Sequence, residues 1–138
     1  MKRYEICEKG VPDVPLRSFR DLIVWQKAMQ LARETYCLVK LLPVEERYDL
    51  SDQMRRAAVS IPSNIAEGQA RNTTKDFIHF LHIAKGSNAE LMTQYFICIN
   101  LKYFTKDELQ MAMSLSDEVE RLLCGLIKRL KVSMLCNK

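Results

Sequence analysis

The sequence predicts an all-α protein, an antiparallel up-down-up-down four-helix bundle, on three observations. Four long runs carry apolar residues at spacings of three and four, and three of the runs open on a capping pair: Ser18 with Asp21, Thr73 with Asp76, and Thr105 with Glu108. No stretch alternates apolar and polar residues as a half-buried strand does. The connections between runs are short, which implies oppositely directed neighbours.

Residues 1–17 hold Gly10, Pro12 and Pro15 without sustained periodicity and read as a flexible arm. The bundle is expected over 18–132, with 133–138 as a tail. The first helix is expected from Ser18 to about Leu42, just before Pro43. Its residues Leu22, Trp25, Met29, Ala32, Tyr36 and Val39 form a heptad seam, and Val24, Ala28, Leu31, Leu38 and Leu42 form a second stripe beside it. Two adjoining stripes are too broad for a two-stranded coiled coil, so this helix must meet at least two neighbours. Ser51 is placed to cap the second helix, which should run to about Glu67 with Gly68 as its stop and a kink at Pro62.

The third helix should follow Thr73 with a seam of Phe77, Leu81, Ala84, Leu91, Tyr95 and Cys98, interrupted by Asn88 at a register-setting position. Gly86 costs a helix roughly 1 kcal/mol relative to Ala, which suggests a close neighbour at that point. Ile78, Ile83, Phe96 and Ile99 widen the apolar face beyond one seam, and part of it is expected between subunits. A fourth helix is expected after Thr105, on Leu109, Ala112, Leu115, Val119, Leu122, Leu126 and Leu130.

At 138 residues the chain is long enough for one domain with a core that needs no staples. With 48% hydrophobic and 28% charged residues it has a globular composition, and its net charge of +4 permits an acidic partner without demanding one. Five cysteines, Cys7, Cys37, Cys98, Cys124 and Cys136, form no CxxC pair and are read as buried thiols in a reducing cytoplasm. No apolar run is long enough to span a membrane, and nothing resembles a secretion signal. The expected location is cytoplasmic.

The segment RRAAVSIPSNIAEG, residues 55–68, departs most from an ordinary amphipathic helix. Arg56, Ser60, Asn64 and Glu67 fall within a sector of about 80° at 100° per residue, and the apolar set of Met54, Ala57, Ile61 and Ile65 within another of similar width. With Asn88 and Glu90 they are expected to form a structural polar network in which Arg56 pairs with Glu67 or Glu90. On that reading, Arg56→Ala would melt or disassemble the protein.

Together with FRDLIVWQKA in the first helix and FIHFLHIAKGSNAEL in the third, this block makes residues 19–131 resemble the four-helix-bundle proteins encoded in intervening sequences of bacterial 23S ribosomal RNA genes. That group is similar in fold to the accessory variability determinant of diversity-generating retroelements. The resemblance implies a homopentameric barrel of bundles and, for the retroelement relatives, a basic surface that engages RNA and a reverse transcriptase.

The residues themselves offer no catalytic constellation. His79 and His82 with Asp76 give a single copy of the carboxylate-x-x-His pattern that di-iron bundles use twice, and Asp76 is better used as a cap. Ser60, Ser63 and Ser87 lack a nucleophile elbow, and the four glycines form no phosphate-binding loop. No metal, cofactor or enzymatic activity is therefore expected. Trp25, Phe77, Phe80 and Phe96 read as core or interface.

Candidate nucleic-acid contacts are Arg55, Arg71, Lys75, Arg121, Lys128, Arg129 and Lys131, several of which also complement a helix dipole. Without interleaved aromatics, RNA contact would be mostly to phosphates and steeply salt-dependent. Two functional expectations follow. One is an oligomeric scaffold that binds RNA or a nucleic-acid enzyme, and the other is a structural or protein-interaction bundle with no nucleic-acid role.

Overall fold

The computed structural model describes residues 18–136, and the arm at 1–17, with Cys7, lies outside them. Four helices follow one another: α1 (Ile23–Val39), α2 (Leu50–Ala70), α3 (Thr74–Asn100) and α4 (Gln110–Cys136). Among the described residues there is no strand. Helix α1 packs on α2 and α4, and α3 packs on the same two, so the four close a ring around one core. A hydrogen bond between Thr35 of α1 and Tyr95 of α3 crosses that core. The Thr35 hydroxyl donates to the Leu31 carbonyl at 2.8 Å, so the Tyr95 phenol is the donor to Thr35.

Ser18 does cap, but it caps a short 3-10 turn, Phe19–Asp21, accepting from the Arg20 amide at 3.2 Å. The α-helix starts only at Ile23, because Leu22 is extended and 1% exposed, its side chain drawn into the core. Of the two stripes on α1, the second faces inward: Val24, Ala28, Leu31 and Leu38 are buried, with Thr35 among them. The heptad seam is buried only at its ends, Leu22 and Val39, and its middle faces outward. Met29 is 45% and Tyr36 41% exposed, while Trp25 and Ala32 are half-buried.

Helix α2 begins at Leu50, not on Ser51, which is buried in its first turn; Asp49 precedes it with no side-chain cap. The helix is unbroken through buried Pro62 and passes the expected stop to end at Ala70. Gly68 is a contact point instead. A Cβ there would lie 2.7 Å from Phe80 Cβ and 3.2 Å from the Phe77 carbonyl, so only glycine lets α2 and α3 approach this closely.

Helix α3 opens as the sequence predicts, with Thr73 Oγ1 accepting from the Asp76 amide at 3.1 Å. Ile78, Leu81, Ala84, Asn88, Leu91, Gln94, Tyr95 and Cys98 are buried. Ile78 thus belongs to the bundle's own core and Ile99 packs against it, while Ile83 and Phe96 stay exposed. Among the described residues nothing lies within 4 Å of a Cβ built on Gly86, so the close neighbour its cost suggests is not among them. The helix ends in a Schellman motif: Lys102 is left-handed (φ 61), its amide bonds the Ile99 carbonyl, and the Tyr103 amide bonds that of Cys98.

The capping box at Thr105 is complete, with the Thr105 amide donating to Glu108 Oε1 at 2.8 Å and the Glu108 amide to Thr105 Oγ1 at 3.2 Å. Leu109 just before α4 and Ala112, Ser116, Val119, Leu123, Leu126 and Ile127 on it are buried, whereas Leu115, Leu122 and Leu130 are half-buried. The true core face is rotated toward α3 because Ser116 takes an inward position. The helix continues through Cys136, beyond the boundary expected at residue 132.

Candidate functional site

The polar stripe of α2 does not gather into one network. Ser60 Oγ lies 2.8 Å from Ser87 Oγ, and the Asn64 amide donates to the Ser60 carbonyl at 2.8 Å and to its hydroxyl at 2.9 Å. Three small polar side chains thereby join α2 to α3 at a half-buried seam. Arg56, however, pairs with Asp52 at 3.1 Å one turn back on its own helix, and it is 79% exposed. Glu67 pairs with Arg71 at 2.6 Å, again along the helix, and Glu90 is exposed. Arg56 and Glu67 project outward from α2, so the expected cross-helix pairing is replaced by local pairs. A surface pair of this kind is worth about 0.3–0.5 kcal/mol, too little for Arg56→Ala to melt the protein.

Asn88 answers to a residue the sequence reading passed over. Its amide donates to the Ser116 carbonyl at 2.9 Å, and the Ser116 hydroxyl donates to Asn88 Oδ1 at 2.8 Å. Asn88 and Ser116 are 3% and 1% exposed, so both sides of this reciprocal pair are satisfied out of water. Lys85 and Glu120 make an ion pair at 3.6 Å beside it. These two links join the middle of α3 to the first half of α4.

The basic candidates divide accordingly. Arg55 sits near the first connection, its guanidinium donating to the Arg47 carbonyl at 3.4 Å. Arg71 is held by Glu67 and stacks over the Phe80 ring at 4.8 Å. Lys75 and Arg121 are exposed, and Arg129 is half-buried beside Gly125. Arg55 lines two clefts, one with Val39, Lys40 and Arg47 and one with Tyr36, Asp52 and Arg56, and Lys128 and Lys131 line a third. A groove of about 370 Å³ between α3 and α4 is bounded by His82, Lys85, Cys124, Ile127, Lys128, Lys131, Val132 and Leu135.

Its floor is aliphatic and its rim cationic. Among the described residues no carboxylate pairs with Lys128 or Lys131, and Glu120 is already engaged by Lys85. The sequence carried a trace of this: Cys124, Lys128, Lys131 and Leu135 recur at spacings of four, three and four, one flank of a helix. What could not be read was that His82 and Lys85 close the other side.

Cys124 is exposed at this groove and donates to Glu120 Oε1 at 3.4 Å. Partial burial, then that bond and the Glu120 charge, raise its pKa, keeping the thiol protonated and poorly nucleophilic. Cys37 and Cys136 are also exposed, so of the described cysteines only Cys98 is the buried thiol expected from sequence. No three His, Cys, Asp or Glu side chains converge among the described residues, and no described helix is long and apolar enough to cross a membrane.

Among curated proteins, none matches this chain. Among solved structures, the chain is similar to a protein of unknown function from the S23 ribosomal protein family of Bacteroides thetaiotaomicron. The two are 29% identical with a TM-score of 0.72, over 77% of this chain and 99% of that one. Residues 20–125, spanning most of all four helices, match the family model of the 23S rRNA-intervening sequence proteins, and the chain belongs to that family.

Proposed function

We propose that this chain is a non-enzymatic scaffold, an antiparallel bundle that assembles as a homopentamer and carries RNA on its basic groove. The observation that carries the RNA reading is the pair Lys128 and Lys131, set at the rim of a cleft with no carboxylate partner among the described residues. Phosphate oxygens are the chemistry such a rim favours, and five copies would multiply the field of each. Supporting assembly, Met29 and Tyr36 on α1, Val59 on α2 and Ile83 on α3 are all exposed apolar residues on the bundle's outer surface. The opposed progression of Met54 to Cys98, Ser60 to Ser87 and Gly68 to Phe77 supports the antiparallel arrangement.

Binding of fluorescein-labelled RNA, followed by anisotropy across a salt series, tests the function. The expected outcome is binding at low salt that weakens steeply as salt rises, and that Lys128→Glu with Lys131→Glu weakens. No binding at low salt leaves the purely structural bundle standing. Sedimentation equilibrium of the same protein is expected to give a pentamer, and a clean monomer at micromolar concentration refutes the assembly.

A further inference from the structure

We infer that the α3–α4 groove takes one unstacked nucleotide of single-stranded RNA, the base on the aliphatic floor and its flanking phosphates at Lys128 and Lys131; this deepens the RNA reading above and rests on it. Phosphate binding alone needs only exposed cations, and Lys75 and Arg121 would serve as well. What sets the groove apart is that its two lysines without carboxylate partners stand over apolar surface. Val132 is 51% and Leu135 68% exposed, beside buried Ile127.

Leaving that floor wet costs free energy in proportion to its area, so the favoured occupant is one that covers it while presenting anions to the rim. A nucleotide lifted out of a stack does both. An A-form duplex does not, because its bases are paired inward and it offers a protein mainly phosphates and 2′-hydroxyls across a shallow groove. The cleft's volume, about 370 Å³, sits at the small end of the range for small-ligand sites, which suits one nucleotide and not a partner helix. His82 adds an imidazole ring to the lining, the type of flat side chain on which unstacked bases rest. Lys85, tied to Glu120, neutralises the nearest carboxylate that would repel a phosphate.

The test compares a 5′-fluorescein oligouridine of about 12 nucleotides with an RNA duplex of the same length, by anisotropy at low salt. The single strand is expected to bind at least about fivefold more tightly, the lower end of what one base stacked on a ring such as His82 is worth. Leu135→Asp is expected to weaken the single strand by about that factor and leave the duplex unchanged, while Lys128→Glu with Lys131→Glu weakens both. All three positions are exposed, so the variants should keep parental helicity by circular dichroism.

Equal or tighter duplex binding, or single-strand binding indifferent to Leu135→Asp, overturns the nucleotide site while leaving RNA binding intact. A change in sedimentation of Leu135→Asp would show instead that a second copy fills the groove, which also overturns it. Failure of both RNAs to bind refutes this inference and the RNA reading together.

Discussion

Gly68 shows how a single residue can look like one signal and act as another. Near the end of a helical run a glycine usually marks the stop, yet here the helix continues and the missing side chain admits Phe77 and Phe80 of α3. Gly68→Ala gains roughly 1 kcal/mol of helix propensity but forces a methyl to 2.7 Å from Phe80 Cβ, an overpacking that costs typically 1–3 kcal/mol. The net is expected to be a lower urea midpoint, and because the clash is with Phe80 Cβ itself, Phe80→Ala, which keeps that atom, is expected not to restore it. Asn88 was legible as a buried polar position from its place in the seam. Its partner was not, because a serine between Leu115 and Leu122 gives no periodic signal of its own. Arg56 was misread for the opposite reason: alignment along a helix says which residues share a face, but not whether that face is turned inward.

At the level of whole helices, existence and type were plain from the spacing, and the caps at Thr73 and Thr105 were plain from side-chain chemistry. The N-terminal end of α1 was not, because Ser18 caps a separate 3-10 turn and the buried Leu22 decides where the α-helix begins. On α1 two stripes of similar apolarity compete, and only packing selects the one with Ala28 and Leu31, small and branched, over the one with Trp25 and Tyr36. The box at Thr105 carries the chain into α4 after the left-handed Lys102, its two bonds set between the buried Phe104 and Leu109. Thr105→Ala is expected to lower stability by about 0.5–2 kcal/mol, measured by chemical unfolding, with Thr105→Ser restoring most of it.

Across the molecule, the core couples stability to alkaline pH. Burial pushes the Cys98 thiol up from its ordinary 9.0 to about 11 and holds the Tyr95 phenol far above its usual value. Both groups are neutral when protonated and keep their protons longer in the folded state than in the unfolded one. Their contribution is therefore complete below about pH 9 and declines above it, as the unfolded chain sheds protons the folded chain retains, by up to about 1.4 kcal/mol per pH unit for each group. Tm is expected to be level between neutral pH and about 8.5 and to fall beyond it, with a shallower fall in Cys98→Ala; a Tm that rises in that range would contradict the assignment.

The Asn88–Ser116 link limits how the groove beside it can move. If α4 slid by one turn along α3, the amide would face Ala112 or Val119, stranding its hydrogen-bonding atoms against hydrocarbon. Lengthwise shear is thereby discouraged, whereas hinging of the distal Val132–Leu135 end away from α3 leaves the Asn88–Ser116 pair intact. The cleft is consequently built to widen like a clothes-peg, pivoting about a fixed midpoint, and not to shift its two walls past each other.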